Sequence, residues 1–389
     1  MSRLIGIMKS IYLEVFNRLA YRTIRHRPGS YSPAPGRDVI NVVCRYGVPN
    51  GLSNGALYQL EALARLGYEV RKVDVTTAIR NPLARIACED QGVFIFHCAA
   101  PQFLQLAWPL RQALKGHRLI GYFAWELGEP PADWPVYTGV WDEIWTTSRF
   151  SAHSLAKKFT CPIHVVGHVR LQDGAPRVWQ KGKEPLTFLT MADARSSLMR
   201  KNPEAVIAAF REAFADAADA ALVVKLSIRE MTPQVQRILD AAAEEPRITV
   251  ITGDLTRAEI DALFSAAHVY VSLHRAEGFG LPLLEARTSG LATIATAWSG
   301  NLDFMSDDDS ILIPCELAEM LDEGGVYGQV TWANPDIHAA AGAMRRLYAE
   351  PDEQARIARA GWETSRAARQ LQQYSNAIAA ALGTADQPG

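Results

Sequence analysis

The sequence predicts an α/β protein with two doubly wound domains. Its 389 residues are more than one ordinary hydrophobic core encloses, so two domains are expected. Hydrophobic residues make up 48% of the chain and charged residues 21%, which is typical of a globular protein. From Asp38 onwards, short apolar runs alternate with segments of helical periodicity. This alternation indicates parallel strands joined by crossover helices.

The first series of elements occupies residues 37–172. A buried strand is predicted at Val39–Cys44, and the helical pattern of Ser53–Leu66 ends at Gly67, which suits a C-cap. Further apolar runs predict strands at Glu69–Val75, Val93–Phe96, Leu119–Phe123 and Glu143–Thr147. These elements are typical of a Rossmann-like domain, in which helices cover a parallel sheet.

The second series occupies residues 185–350 and follows the loop Gln172–Pro185. Strands are predicted at Leu186–Thr190, Leu222–Leu226, Ile248–Ile251, Val269–Leu273 and Ala292–Ala295, and helices at Pro203–Ala215 and Leu281–Ser289. Residues 351–389 form a C-terminal region whose Ala-rich helix, Pro351–Leu382, is predicted to pack back towards the N-terminal domain. Paired α/β domains bind ligands at the carboxyl ends of their strands, so the two Rossmann-like domains are expected to face a cleft.

Residues 1–36 stand apart as a basic amphipathic helix followed by a linker rich in Pro, Gly and Ser. On a helical wheel the apolar face comprises Leu4, Ile5, Met8, Ile11, Tyr12, Val15, Phe16 and Leu19, opposite Arg3, Arg18, Arg22 and Arg25. Two interpretations remain open. The apolar face docks on the protein's own body, or it makes a peripheral contact with an anionic membrane.

Composition narrows the class of protein. The net charge of −2 argues against a nucleic-acid binder, because such proteins usually carry a basic surplus. The five cysteines form no C-x-x-C pair, so neither a zinc site nor a disulfide framework is expected, and a cytoplasmic location fits. No apolar run reaches the roughly 18 residues of a membrane-spanning helix. Lys9 and Glu14 interrupt the apolar stretch that a signal peptide requires.

The most informative segment follows the predicted strand Val269–Leu273 and opens a helix. It reads Glu277-Gly278-Phe279-Gly280-Leu281-Pro282-Leu283-Leu284-Glu285. The two glycines let the backbone approach a ligand closely, and the helix N-terminus offers N–H groups to a diphosphate. Glu285 lies where its carboxylate can accept hydrogen bonds from two ribose hydroxyls, and Glu277 precedes the turn, where a sugar ring would lie.

This segment resembles the E-x7-E signature of family 4 glycosyltransferases, with Glu277 and Glu285 as the two acids. The resemblance covers roughly residues 38–382 and is most specific in residues 193–304. It implies the GT-B fold, an acceptor-side N-terminal domain and a C-terminal domain that binds the nucleotide sugar. It also implies a retaining transfer without metal or resident cofactor, in which Glu277 contacts the sugar and Glu285 the ribose. The donor-binding residues that the resemblance implies in this segment are Gly278, Phe279, Gly280, Leu281 and Glu285.

A second segment, Asp193–Pro203, lies between a strand and a helix and ends in Arg200-Lys201-Asn202-Pro203. This ending is similar to the R-K-N-P form of a family motif. The resemblance implies that Arg195 and Lys201 clamp the diphosphate, with Ser196 also on the donor. Fixed cations suit this task because the leaving diphosphate gains negative charge.

A third loop, Thr296–Phe304, also resembles a family loop beside the donor. Its Ser-Gly-Asn run, Ser299, Gly300 and Asn301, is predicted to touch sugar hydroxyls or to position Glu277. The alternative is an ordinary turn that closes the strand Ala292–Ala295. The following run Asp307-Asp308-Asp309 is interpreted as a solvated polar turn rather than a metal site.

The first domain contributes weaker candidates. In the Gly-rich loop Arg45–Gly55, Gly51 and Ser53 are expected near the donor diphosphate. His97 ends a predicted strand and contacts a substrate or has a structural role. Trp125-Glu126 follows Leu119–Phe123 and resembles a W-E subgroup of the family. Trp125 either stacks on an acceptor sugar or belongs to the core, and Glu126 either orients the acceptor hydroxyl or is an ordinary acid at a helix start.

The sequence therefore predicts a hexosyltransferase whose donor is GDP-mannose or a UDP-sugar. Its expected acceptor is a saccharide or a lipid-linked saccharide, handled at the cytosolic face of the inner membrane in surface polysaccharide synthesis. Two alternatives share the fold. A nucleotide-sugar epimerase would need additional acid and base carboxylates near the sugar, and a convincing set is not evident. A non-catalytic binding module is disfavoured because Glu277 and Lys201 are both present.

Overall fold

A computed structural model of the chain describes residues 14–25, 39–48, 50–88, 92–134, 137, 139–215 and 219–383. The chain divides into two compact units. Unit 1 comprises the described residues of Met1–Trp125, Glu129–Val169 and Leu371–Gly389, and unit 2 comprises Glu126–Gly128 and Arg170–Gln370. Each unit contains one six-stranded sheet.

The sheet of unit 1 has the strand order β2-β1-β3-β4-β5-β6, and its strand pairs are parallel. The strands are β1 (Val39–Cys44), β2 (Val70–Asp74), β3 (Gly92–His97), β4 (Arg118–Tyr122), β5 (Glu143–Thr146) and β6 (Ile163–Val165). The helices are α1 (Gly51–Arg65), α2 (Phe103–Ala107) and α3 (Arg149–Ala156). Every residue of β1 and β3 is buried, as expected for central strands that are covered on both faces.

The sheet of unit 2 has the order β12-β11-β10-β7-β8-β9 and is also parallel. Its strands are β7 (Leu186–Asp193), β8 (Ala220–Ser227), β9 (Ile248–Thr252), β10 (Val269–Ser272), β11 (Ala292–Thr296) and β12 (Ile311–Ile313). The helices are α4 (Leu198–Lys201), α5 (Pro203–Ala213), α6 (Pro233–Ala243), α7 (Arg257–Ala266), α8 (Leu281–Thr288), α9 (Ile337–Ala349) and α10 (Pro351–Thr364). The predicted α/β class, with two doubly wound sheets, is therefore confirmed.

The C-terminal region is two helices rather than the single helix predicted at Pro351–Leu382. The helix α10 ends before Ser365, and α11 (Ala367–Leu382) begins after it. Ser365 is buried, and its hydroxyl accepts a hydrogen bond from Arg287 Nε at 2.8 Å. The two helices therefore meet at a residue that is engaged by a tertiary contact. Within unit 1, the end of α11 contacts the strand β4, because Arg118 donates a hydrogen bond to the carbonyl of Ala381 at 2.8 Å.

Unit 2 also contains a hairpin that the sequence analysis does not predict. The strands β13 (Cys315–Leu321) and β14 (Gln329–Pro335) pair antiparallel in a separate two-stranded sheet. Every residue of β13 is exposed or half-buried, and its sequence contains no continuous apolar run. The hairpin is attached to unit 2 through Trp332, which is fully buried, and through the backbone N–H of Ala333, which donates to Arg275.

The described part of the N-terminal segment is helical over residues 14–24. The predicted apolar residues Leu4, Ile5, Met8, Ile11 and Tyr12 lie outside the described residues. Phe16 packs on Trp108, with ring centroids 5.4 Å apart, and Ala20 and Ile24 are buried. Val15 and Leu19 remain 62% and 55% exposed. One face of the helix thus docks on unit 1, while part of the predicted apolar face stays in solvent.

Among the described helices, none is long and apolar enough to cross a membrane.

Candidate functional site

Loops at one edge of the unit 2 sheet carry the principal predicted residues. They follow β7, β10 and β11, which are neighbours in the sheet. Because parallel strands end at the same edge, these loops meet there. Lys201 and Glu277, which are 76 positions apart in the sequence, form an ion pair.

Glu277 is the centre of this cluster. Its side chain is only 9% exposed, and Oε2 accepts a hydrogen bond from Arg200 Nη1 at 3.2 Å, while Oε1 pairs with Lys201 Nζ. Burial alone would raise the pKa of the Glu277 carboxyl, but the charges of Lys201 and Arg200 outweigh this effect and lower it to about 2. Glu277 is therefore ionised at neutral pH, and its carboxylate pairs with both cations.

The loop after β11 fixes the backbone of Glu277. The hydroxyl of Ser299 accepts a hydrogen bond from Glu277 N at 2.8 Å, and Gly300 N donates to the Glu277 carbonyl at 3.0 Å. A Cβ on Gly300 would lie 2.3 Å from the Gly278 carbonyl oxygen, so only glycine permits this approach. The loop thus positions Glu277, which is one of the two roles predicted for it. Contact of Ser299, Gly300 and Asn301 with sugar hydroxyls stays a prediction.

His274 joins this loop to the strand β10 and was missed by the sequence analysis. Its ring is fully buried, and burial lowers its pKa, so the ring is neutral. Nε2 lies 3.1 Å from Asn301 Oδ1, and Nδ1 lies 3.1 Å from the Ser272 hydroxyl. A neutral ring that donates from Nε2 and accepts at Nδ1 satisfies both contacts. His274 therefore supports Asn301 rather than acting as a charged group.

The turn after Glu277 leads directly into α8. Gly280 is the N-cap and has φ 96°, a left-handed conformation that favours glycine. The ring of Phe279 packs against Phe304, with centroids 4.7 Å apart, so this side chain belongs to the packing of unit 2. The helix N-terminus at Leu281 suits an anion. The donor contacts expected of Gly278, Phe279, Gly280 and Leu281 stay predictions.

The R-K-N-P motif has a local structural explanation. Ser197 caps the short helix α4, which carries Lys201. Asn202 ends it with φ 53°, and its side chain donates to the Leu273 carbonyl at 2.9 Å. Pro203 then starts α5, where a missing N–H costs nothing. This sequence of cap, turn and new helix places the side chains of Arg200 and Lys201 on Glu277.

Arg195 occupies a different environment from Lys201. Its guanidinium forms ion pairs with Asp193 at 2.7 Å and with Asp254 at 3.3 Å. Ser196 donates its hydroxyl to the Asp193 carbonyl at 2.9 Å. The cation that joins Lys201 at Glu277 is Arg200, which the motif contains but which was not singled out. The diphosphate roles of Arg195 and Ser196 stay predictions.

Glu285 is buried in α8 and engaged by a cation. Its Oε1 lies 2.6 Å from Arg257 Nη1, and Arg257 also pairs with Asp261. Arg257 is not predicted from the sequence, since nothing in the motif points to a residue of α7. A ribose bound at Glu285 would share the carboxylate with Arg257.

Glu126 belongs to unit 2 and to the Glu277 cluster. Its Oε1 accepts the hydroxyl hydrogen of Tyr327 and lies 3.7 Å from Arg200 Nε. From the sequence, Glu126 was predicted to belong to the first domain, on the acceptor side. The structure instead joins the two carboxylates through Arg200. No helix begins at Glu126, so the alternative of an acid at a helix start is wrong.

The candidates of the Gly-rich loop have structural roles within unit 1. The Ser53 hydroxyl donates to the Val48 carbonyl at 2.8 Å and accepts from Asn50 N at 3.1 Å, which forms a capping box at the start of α1. Gly51 is the first residue of that helix and has open space around it. Donor contact by Gly51 and Ser53 stays a prediction.

His97 and Trp125 are both buried in unit 1. His97 Nε2 lies 2.7 Å from Gln59 Oε1, and the ring stacks on Tyr122 at 4.1 Å. Trp125 packs on Trp134, with ring centroids 4.4 Å apart, and is 8% exposed. These contacts match the structural alternatives given for both residues, and their acceptor roles stay predictions.

Asp309 is not solvated, contrary to the interpretation of the Asp307–Asp309 run as a polar turn. It is 6% exposed, and its Oδ2 lies 2.6 Å from Nη2 of Arg287, which is fully buried. Asp308 beside it is exposed. The pairing with a buried arginine is tertiary and could not be predicted from the local run.

Within the described part of the chain, no group of three or more His, Cys, Asp or Glu side chains is arranged to hold a metal ion.

Residues 177–363 match the family model described as Glycosyl transferases group 1. The match lies within unit 2 and includes Lys201, Glu277 and Glu285. It confirms the prediction that the chain contains a glycosyltransferase domain. No curated protein is significantly similar to the chain in sequence.

Several solved structures are similar to the chain in fold. The pneumococcal O-GlcNAc transferase GtfA, in complex with UDP and GlcNAc, has a TM-score of 0.54 and 16% identity, over 75% of this chain and 57% of that one. HepE of Anabaena, in complex with UDP and glucose, has a TM-score of 0.61 and 11% identity, over 88% of this chain and 100% of that one. For sucrose-phosphate synthase of Thermosynechococcus elongatus the TM-score is 0.62 and the identity 17%, over 90% and 100% of the two chains.

At these identities the similarity concerns the fold, and it confirms the predicted GT-B class. The chain spans only 57% of the length of GtfA and 55% of that of TarM from S. aureus.

Proposed function

We propose that the chain is a retaining, metal-independent hexosyltransferase of family 4. In this proposal it moves a sugar from a nucleotide-diphosphate donor to a saccharide or lipid-linked acceptor. The observation that carries the proposal is the buried cluster in which Lys201 and Arg200 face Glu277 immediately before the N-terminus of α8. A cluster with these charges, at the carboxyl edge of a parallel sheet, suits a sugar that leaves from a diphosphate.

The charge balance supports a division of roles in this cluster. Lys201 and Arg200 both pair with Glu277, and Glu126 also lies 3.7 Å from Arg200, so an arriving diphosphate shares two cations with two carboxylates. Lys201 and Arg200 stabilise the negative charge that develops on the leaving diphosphate. In this proposal they take the role that a metal ion has in metal-dependent enzymes. Glu277 stays ionised beside the sugar, where it can accept hydroxyl hydrogen bonds and stabilise positive charge at the anomeric carbon. The leaving diphosphate oxygen takes the acceptor proton on the front face, so the protein supplies positioning rather than a strong base.

The donor is either GDP-mannose or a UDP-sugar. Resemblance to the W-E and R-K-N-P subgroup favours GDP-mannose. The similar structures of GtfA and HepE contain UDP with GlcNAc or glucose, and they make UDP-GlcNAc and UDP-glucose the first alternatives. Glu285 is the residue proposed to bind the ribose, with its carboxylate already oriented by Arg257.

The acceptor is proposed to be a glycan or lipid-linked saccharide at the cytosolic face of the inner membrane, in surface polysaccharide synthesis. The N-terminal helix supports this location, since Val15 and Leu19 are exposed next to Arg18 and Arg22. Apolar residues flanked by basic ones favour the surface of an anionic bilayer.

A donor screen tests the proposal. The protein is incubated with GDP-mannose, UDP-GlcNAc and UDP-glucose, together with a crude lipid-linked acceptor fraction and EDTA, and the products are identified by mass spectrometry. We expect a hexose or N-acetylhexosamine adduct with one donor, and NMR of the product should show the same anomeric configuration as in the donor. Inversion, or an absolute requirement for a divalent metal, would contradict the family 4 mechanism. Nucleotide binding without turnover would favour the binding module.

A further inference from the structure

The hairpin β13–β14 brings an additional residue to the Glu277 cluster. Its tip, residues 322–328, is organised by Asp322, which is 2% exposed. The carboxylate of Asp322 accepts from Val326 N at 2.8 Å and from Tyr327 N at 3.1 Å. These bonds fix the backbone of Tyr327 in one place.

The carboxylate of Asp322 also connects the hairpin tip to the short helix α4, which carries Arg200 and Lys201. Ser197 donates its hydroxyl to Asp322 Oδ1 at 2.7 Å and accepts from Arg200 N at 3.1 Å. The base of the hairpin is attached to the same helix through two backbone hydrogen bonds. Ala333 N donates to the Arg275 carbonyl, and Arg275 N donates to the Arg200 carbonyl. These hydrogen bonds therefore fix the position of the hairpin relative to the backbone of Arg200.

Tyr327 uses this placement to reach Glu126. Its ring lies edge-on to the buried Trp332, with centroids 5.8 Å apart, and its hydroxyl donates to Glu126 Oε1. Arg200 Nε approaches the same oxygen at 3.7 Å, and the Glu126 side chain stays 19% exposed. The second carboxylate oxygen can therefore accept a hydrogen bond from a substrate hydroxyl, while the first is fixed by the protein.

We propose that Tyr327 is a positioning residue that holds the Glu126 carboxylate against Arg200 for the acceptor hydroxyl. This inference rests on the proposed function. Transfer needs an oriented acceptor hydroxyl and depends steeply on its placement, whereas hydrolysis of the donor by water does not. Tyr327 therefore acts on transfer, through Glu126, and not on the capture of the donor.

The test compares wild type with Tyr327→Phe, Glu126→Gln and the double variant. Tyr348→Phe is the matched control, because the Tyr348 hydroxyl accepts a hydrogen bond from Asp219 N at 3.3 Å in the same unit. Transfer to acceptor, donor hydrolysis, donor KM and thermal midpoint are measured for each protein. We expect Tyr327→Phe to lower transfer about 10-fold, which corresponds to losing one hydrogen bond to a charged group. Donor hydrolysis and donor KM should stay within about twofold of wild type, and Tyr348→Phe should behave as wild type.

The double variant decides whether Tyr327 works through Glu126. If it does, adding Tyr327→Phe to Glu126→Gln lowers transfer little further, because the two residues act as one unit. Multiplicative losses in the double variant, or wild-type transfer by Tyr327→Phe, would overturn the inference while leaving the proposed function intact. A parallel loss of hydrolysis and transfer would also overturn it. A wild-type protein that moves no sugar from any donor overturns the proposed function, and this inference falls with it.

Discussion

At the scale of single residues, Lys201 is the cation whose removal is most informative. It pairs with Glu277 at the point where the diphosphate is proposed to bind. We expect Lys201→Ala to weaken binding of the nucleoside diphosphate about 10-fold and to slow turnover, because a fixed cation is lost. Titration calorimetry with GDP and UDP measures the binding. Lys183→Ala removes an exposed lysine of the same unit and serves as control. Equal affinities and rates in all three proteins would rule out the clamp.

The ionisation of Glu277 gives a pH-dependent prediction. Lys201 and Arg200 lower its pKa from an ordinary value of 4.5 to about 2, against the effect of burial. A depressed carboxyl pKa stabilises the folded state above pH 4.5, and this contribution is lost as the pH falls towards 2. We therefore expect the thermal midpoint of wild type to exceed that of Glu277→Gln by a constant amount between pH 5 and 7. The difference should shrink below pH 4.5. A difference that already shrinks between pH 7 and 5.5 would show that the carboxyl is not held ionised.

The residues of the site were predicted to different degrees, for physical reasons. Glu277 and Lys201 lie in local motifs whose glycines, proline and cap residues specify the turns that carry them. Arg200 was missed, although it lies beside Lys201, because its role depends on bridging Glu126 and Glu277. Tyr327 was missed because it reaches Glu126 across 201 positions of sequence.

At the scale of elements, the ion pair between Arg287 in α8 and Asp309 before β12 joins several parts of unit 2. The guanidinium of Arg287 also donates to Ser310 and Thr364, each at 2.6 Å. We expect Asp309→Asn to lower the free energy of unfolding by about 3 kcal/mol, because it leaves a fully buried cation without its counter-ion. Asp308→Asn, at the exposed neighbouring position, should change it by less than about 0.5 kcal/mol. Equal stabilities of the two variants, measured by denaturant unfolding, would contradict the assignment.

The secondary structure was predicted best where one pattern dominates. The strand β1 is fully buried and was predicted with its observed bounds, Val39–Cys44. The hairpin β13–β14 was missed because its exposed strand follows neither a buried run nor a clean alternation. The break at Ser365 was missed because the Ala-rich composition continues on both sides of it. At this break the side chains of Arg287 and Gln370 both donate hydrogen bonds to Ser365, and the local composition does not predict these contacts.

At the scale of the whole molecule, the N-terminal helix is expected to bring the protein to a membrane. Val15 and Leu19 are exposed, whereas Ala20 and Ile24 on the docked face are buried. We expect the double substitution Val15→Ser and Leu19→Ser to weaken binding to anionic phosphatidylglycerol vesicles more than 10-fold, because two apolar side chains no longer enter the bilayer. Donor hydrolysis should not change. Leu317→Ser, at an exposed position of the hairpin, is the control. Wild-type protein that stays in solution with these vesicles would show that the helix serves only unit 1.

The proposed function depends on turnover at Glu277. The most direct measurement is the rate of nucleoside diphosphate release, in the presence of acceptor and EDTA, by wild type, Glu277→Gln and Glu363→Gln. Glu363 is an exposed acid of α10 and controls for the substitution itself. We predict that Glu277→Gln turns over about 10²- to 10³-fold more slowly, as expected when one preorganised electrostatic contact is lost, while Glu363→Gln matches wild type. A Glu277→Gln protein that releases nucleoside diphosphate as fast as wild type would contradict the central claim.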